Sequence, residues 1–96
     1  MNRIENAVQW MDDMDMEPML LLGDSKEVND YSEAFVGVSM DDSKAVYDED
    51  KVIKIFMERD GMSDMEAIEF FEFNVRGAYM GEKTPSFIKT DFDRGY

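Results

Sequence analysis

The chain has no cysteine and no histidine. The first absence excludes disulfides, thiolate metal centres and a cysteine nucleophile. The second removes the commonest general base and the commonest zinc ligand. Proline occurs only twice and glycine six times in 96 residues, with no linker, internal repeat or low-complexity tract between them. No apolar run approaches the roughly 18 residues that a membrane-spanning helix needs. The opening residues, MNRIENAVQWMDDMDM, are broken by charge where a signal peptide needs an apolar stretch. Basic residues are scarce as well: ten of them face twenty-three acids, a net charge of −13 at pH 7. The expectation is a cytoplasmic protein that binds neither nucleic acid nor an anionic membrane directly and whose natural partner is a protein with a basic surface. Acidity also serves solubility alone, and charge by itself does not separate the two uses.

A chain of this length forms a single domain, 1–96, with a small core. Its organising stretch is 46–74, VYDEDKVIKIFMERDGMSDMEAIEFFEFN, which reads as a pair of short helices joined by a tight turn. Asp48 caps the first helix, with Glu49 and Asp50 at the positive end of its dipole. Val52, Ile53, Phe56 and Met57 supply an apolar face, widened by Ile55, and Gly61 takes the left-handed position that ends the helix. Ser63 and Glu66 form a capping box for the second helix, with Met62 placed to staple against Ala67. Ala67, Ile68, Phe70 and Phe71 give its apolar face, Phe73 broadens it, and Gly77 stops it. Such a corner resembles a DNA-binding helix-turn-helix in outline, but Glu66, Glu69 and Glu72 on the second helix would repel phosphates.

Residues 2–15 suit a helix capped by Asn2, with Glu5 at the third helical position and Ile4, Ala7, Val8, Met11 and Met14 on one side. It dissolves into Asp12, Asp13, Asp15 and Glu17, and Pro18 prevents its continuation. Residues 19–22 are a short apolar run, either a buried strand or one helical turn, and 24–31 read as a loop with room for one helical turn. Residues 34–40 make the best strand, with Gly37 marking either a bulge or a close approach by a helix. Turn chemistry at 41–44 leads into a second strand over 45–47, and 86–89 form a third, with Pro85 at its edge. Residues 90–96 are a polar tail. The fold expected is α+β: a small antiparallel sheet of about three strands with helices packed on one face.

Little in the sequence points to catalysis. An EF-hand requires an acidic ligand five residues before its glycine, and alignment on Gly61, Gly81 or Gly23 puts Phe56, Arg76 or Pro18 there. No nucleophile elbow, phosphate loop or dinucleotide fingerprint occurs. The expectation is no catalytic residue, no metal site, no cofactor and no enzymatic activity. Met11, Met40, Met57 and Met65 fall on faces read as core, while Met14, Met16 and Met19 form a more exposed group. The candidate protein-binding residues are Asp12, Asp13, Asp15 and Glu17 after the first helix, and Tyr79 and Glu82 in the glycine-punctuated loop 74–84. Asn74 is read as the internal hydrogen-bond bracket of that loop.

AVYD at 45–48, DGMSDMEAIEFFEFN at 60–74 and GAYMGEKTP at 77–85 together resemble a family of small uncharacterised proteins common in bacteriophages and also found in bacterial and archaeal genomes. The family pattern is V-Y-D before a helix, D-G-M-S/T with E-A, Y/F-N at the helix end and G-x-x-T-P. The resemblance covers 34–88 and implies a phage-like origin and the α+β arrangement, with no catalytic residues to carry over. Residues 1–33 lie outside it as a variable N-terminal helix and loop, and 89–96 as a tail. Two functional readings follow. One is a non-catalytic phage-type protein that binds and modulates or inhibits a host protein, in its sharpest form by mimicking nucleic-acid charge. The other is an assembly subunit, a homo-oligomer paired through a sheet edge or through Trp10, Leu20, Leu21 and Leu22.

Overall fold

The computed structural model describes residues 2–23, 27–77 and 81–90. Helix α1 spans Arg3–Asp13, and a 3-10 helix spans Val28–Ala34. Strands β1 (Phe35–Val38) and β2 (Ala45–Asp48) form a hairpin that runs directly into α2 (Glu49–Asp60). Helix α3 (Asp64–Phe70) continues without a break into a π-helical segment, Phe71–Arg76, before β3 (Ser86–Ile88). The fold is α+β, with a three-stranded sheet in the order β1-β2-β3.

The sheet is mixed, which corrects the all-antiparallel expectation. β1 and β2 pair antiparallel, but β3 joins β2 in parallel, with Tyr47 opposite Phe87. A parallel neighbour requires a crossover, and α2, α3 and the π-helical segment provide it. The bulge expected at Gly37 falls at Val36: Phe35 pairs with Tyr47 and Gly37 with Val46, leaving Val36 as the extra residue. Its carbonyl accepts from Arg3 Nη2 at 2.7 Å, which ties α1 to the bulge. On the central strand, Ala45 and Tyr47 share a face and are fully buried, while Val46 on the other face is only half-buried.

The core draws on the whole chain. Ile4, Met11, Met19, Leu22 and Tyr31 from the N-terminal third join Phe35, Tyr47, Val52, Phe56 and Phe71 in one cluster. Rings stack edge-on through it, Phe35 to Tyr47 at 5.6 Å and Phe71 to Phe87 at 5.0 Å. Residues 19–22 are neither strand nor helix. They are irregular chain held at Leu22 by the Tyr47 hydroxyl, which accepts from the Leu22 amide at 3.2 Å. Burial pushes the Tyr47 phenol above its ordinary 10.0, although the Leu22 hydrogen bond opposes the shift. A raised phenol stabilises the fold fully below pH 10, and that contribution is lost as pH rises through the raised value. Tyr47→Phe leaves the Leu22 amide buried without an acceptor, at an expected cost of about 1–3 kcal/mol by urea titration. The variant also loses this component of alkaline unfolding. Equal stability of the two proteins at pH 7 would show that the bond carries no weight.

The loop read into 24–31 is partly helical. Its 3-10 turn is clamped to α2 by Arg59, which makes paired bonds to Asp60 at 3.0 and 2.8 Å and reaches Asp30 and the Tyr31 hydroxyl, each at 3.3 Å. The guanidinium also lies 5.2 Å from the Tyr31 ring centre. Its hydrogen bonds hold the Asp60 carboxyl below the ordinary carboxylate value, against a smaller opposing effect of burial.

Methionine placement differs from expectation at three positions, one of them Met19, expected to be exposed but buried in the core. Met11 is buried and Met57 packs against the core, but Met40 and Met65 are 70% and 71% exposed. β1 ends at Val38 and the chain turns at once, with the Ser39 hydroxyl on Asp42 at 2.6 Å, so Met40 sits in the turn and not on the strand. The polar tail is anchored at its start, since Lys89 Nζ bonds Asp50 at 3.0 Å and the Thr90 hydroxyl bonds Asp48. Residues 91–96 lie outside the described residues.

Candidate functional site

The acidic end of α1 is built by a specific stop. Asn2 and Glu5 form a capping box at its start. At its end the Met16 amide bonds Met11 O at 2.9 Å and the Asp15 amide bonds Asp12 O at 3.1 Å. That is a Schellman ending, with Asp15 at the left-handed position, φ 57°. The paired apolar residues of the motif are Met11 and Met16. With Val8, Pro18 and Met19 they line a shallow groove of about 220 Å³, and Asp12 stands at its margin.

This ending is electrostatically unfavourable. Asp12, Asp13 and Asp15 gather where the helix dipole is negative, and the last turn holds no basic residue. Asp13 accepts from Gln9 Nε2 at 2.9 Å, but none of the three has an ion-pair partner among the described residues. Glu17 is separate from them. It lies 4.0 Å from Lys83 Nζ, which also donates to Asp42 O at 2.9 Å. Lys83 therefore draws Glu17, the 41–42 turn and neighbouring Glu82, which is exposed, to one place. The Ser39 hydroxyl, ahead of the charges of Lys44 and Lys83, holds the Asp42 carboxyl below its ordinary 3.8. Bases are thus interleaved with the acids of 41–50, since Lys44 faces Asp42 and Lys89 faces Asp50. Tyr79 lies outside the described residues.

The capping residues are where local chemistry puts them. Asp48 accepts from the Lys51 amide, Gly61 is left-handed at φ 69°, and Ser63 and Glu66 close a capping box. Asn74 is expected to bracket the loop 74–84, of which residues 78–80 lie outside the described residues. It lies inside the π-helical segment, exposed, with no side-chain hydrogen bond to another described residue. Gly77 ends that segment with an ordinary right-handed φ of −79°.

A further surface was not read from the sequence as exposed. Only Ala67 and Phe71 of α3 and its continuation are buried. Phe73 is 80% exposed, and Ile68 and Phe70 are about half as exposed. Met62, Phe70 and Phe73 line a wide-open, shallow groove of about 330 Å³ with Glu66, Glu69 and Asn74. The available signal was angular. Residues two apart on a helix lie about 200° apart around it, so Met65 and Phe73 point away from the side that buries Ala67 and Phe71.

Among the described residues, no group of three or more acidic side chains is placed to hold a metal ion, and no helix is long and apolar enough to cross a membrane. No family model, curated protein or solved structure matches the chain.

Proposed function

We propose that the chain is a non-catalytic, phage-type cytoplasmic protein that binds a host protein through that partner's basic surface and so modulates or inhibits it. The observation that carries this reading is the end of α1. Carboxylates without an ion-pair partner at the negative end of a dipole, one of them in a left-handed conformation, are unfavourable to the fold, and only Asp13 has a side-chain hydrogen bond among the described residues. Beside them lies an apolar groove, so charge can steer a partner and apolar contact can hold it. Mimicry of nucleic-acid charge is the sharper form of this proposal. The acids of 12–15 suit it better than those of 41–50, where Lys44 and Lys89 intervene.

The test is affinity capture from bacterial lysate with stepwise salt elution and mass spectrometry. A basic protein released between low and moderate salt supports the proposal and names the target. Recovery of the bait alone, as a salt-resistant oligomer, overturns it in favour of an assembly subunit.

A further inference from the structure

The groove on α3 and its π-helical continuation combines apolar and acidic side chains, as the end of α1 does. Phe73 is 80% exposed, and Phe70 forms a partly exposed wall beside it. Glu66 and Glu69 line the same groove and have no ion-pair partner among the described residues. Glu66 accepts from the Ser63 amide through one oxygen, leaving the other outward. π-helical turns inside α-helices concentrate at functional positions, and here the turn carries the most exposed aromatic ring among the described residues.

Charge selects the occupant. A second copy would bring Glu66 and Glu69 against themselves, between chains that each carry −13. An anionic lipid surface is repelled for the same reason. A cationic amphipathic helix satisfies both parts of the groove, with an apolar side chain between Phe70 and Phe73 and lysine or arginine on Glu66 and Glu69. We infer that this groove docks a basic amphipathic helical segment of the partner protein. The inference rests on the reading that the chain binds a basic protein, and it adds a second contact surface to the end of α1.

The probe is a fluorescent helical peptide of lysine and leucine at amphipathic spacing, with a glutamate–leucine peptide as control, followed by anisotropy. The expected result is binding of the cationic peptide only, weakened tenfold or more by Phe73→Ser and several-fold by Glu69→Lys. Both variants should melt like the parent, since both side chains are exposed. Unchanged affinity in Phe73→Ser, with a loss in Asp12→Lys/Asp13→Lys, overturns the inference and leaves the broader reading standing. Binding of both peptides alike overturns the charge argument. A dimer in sedimentation that Phe73→Ser dissolves would show that a second copy is the occupant, and it would also overturn the inference. Failure of the parent to capture any basic protein, by contrast, removes the reading on which the inference rests.

Discussion

Phe71→Ala is expected to remove most of the protein's stability, whereas Phe73→Ala, two residues on, is expected to leave its melting temperature nearly unchanged. The side chains are identical and their surroundings are opposite. Phe71 is fully buried, meets Phe87 edge-on at 5.0 Å, and lies one turn from buried Ala67. Truncating a buried phenylalanine costs about 3–5 kcal/mol, from lost burial and the cavity left behind. A small domain holds only about 5–15 kcal/mol in all, and one of this size sits toward the lower end. Phe73, 80% exposed, has almost no burial to lose, so its truncation should stay within about 0.5 kcal/mol. Urea titrations of the two variants check both results. Equal destabilisation would mean that the outer face of the π-helical segment is covered within the folded chain, and the docking surface proposed there would not exist.

The second large effect is expected at Asp48, which is 4% exposed. Its carboxylate receives the Lys51 amide at 3.3 Å as the cap of α2 and also the Thr90 hydroxyl, which holds residue 90 against the end of β2. Loss of a helix cap costs about 1 kcal/mol, and loss of a hydrogen bond to a charged acceptor somewhat more. Asp48→Ala should therefore cost about 2–3 kcal/mol, a fall in melting temperature on the order of 10–20 °C for a domain of this size. Asp48→Asn keeps a capping oxygen and should recover roughly half of that loss. If Thr90→Val leaves stability untouched, the tether is idle and the cost reduces to the cap alone.

The features legible in the sequence are those decided by a few neighbouring residues. The boxes at Asn2–Glu5 and Ser63–Glu66, the cap at Asp48 and the left-handed Gly61 each depend on side chains within about one turn. The parallel addition of β3 was not legible, because its orientation depends on where a long crossover returns and not on residues 86–88 themselves. The path of 19–22 was hidden for a similar reason: its partner, Tyr47, is twenty-five residues away. Met40 was assigned to the core by alternation, but alternation has no meaning once a strand has ended. At the candidate site, composition identified Asp12, Asp13, Asp15 and Glu17. It did not separate the acids left uncompensated from Glu17, which Lys83 approaches across the fold. The Schellman ending at Asp15 was also missed, because aspartate occupies the position where glycine is the usual signal.

The central claim is that the end of α1 is kept acidic for a partner and at some expense to the fold. The most direct test pairs two readouts on one variant, Asp12→Lys/Asp13→Lys. Placing cations at the negative end of the α1 dipole should raise stability by about 0.5 kcal/mol or more in thermal melts. The same variant should lose, at physiological salt, the basic protein that the parent captures from lysate. Undiminished capture by the variant would contradict the account, because the carboxylates would then have no part in binding and their position at the helix end would be without function.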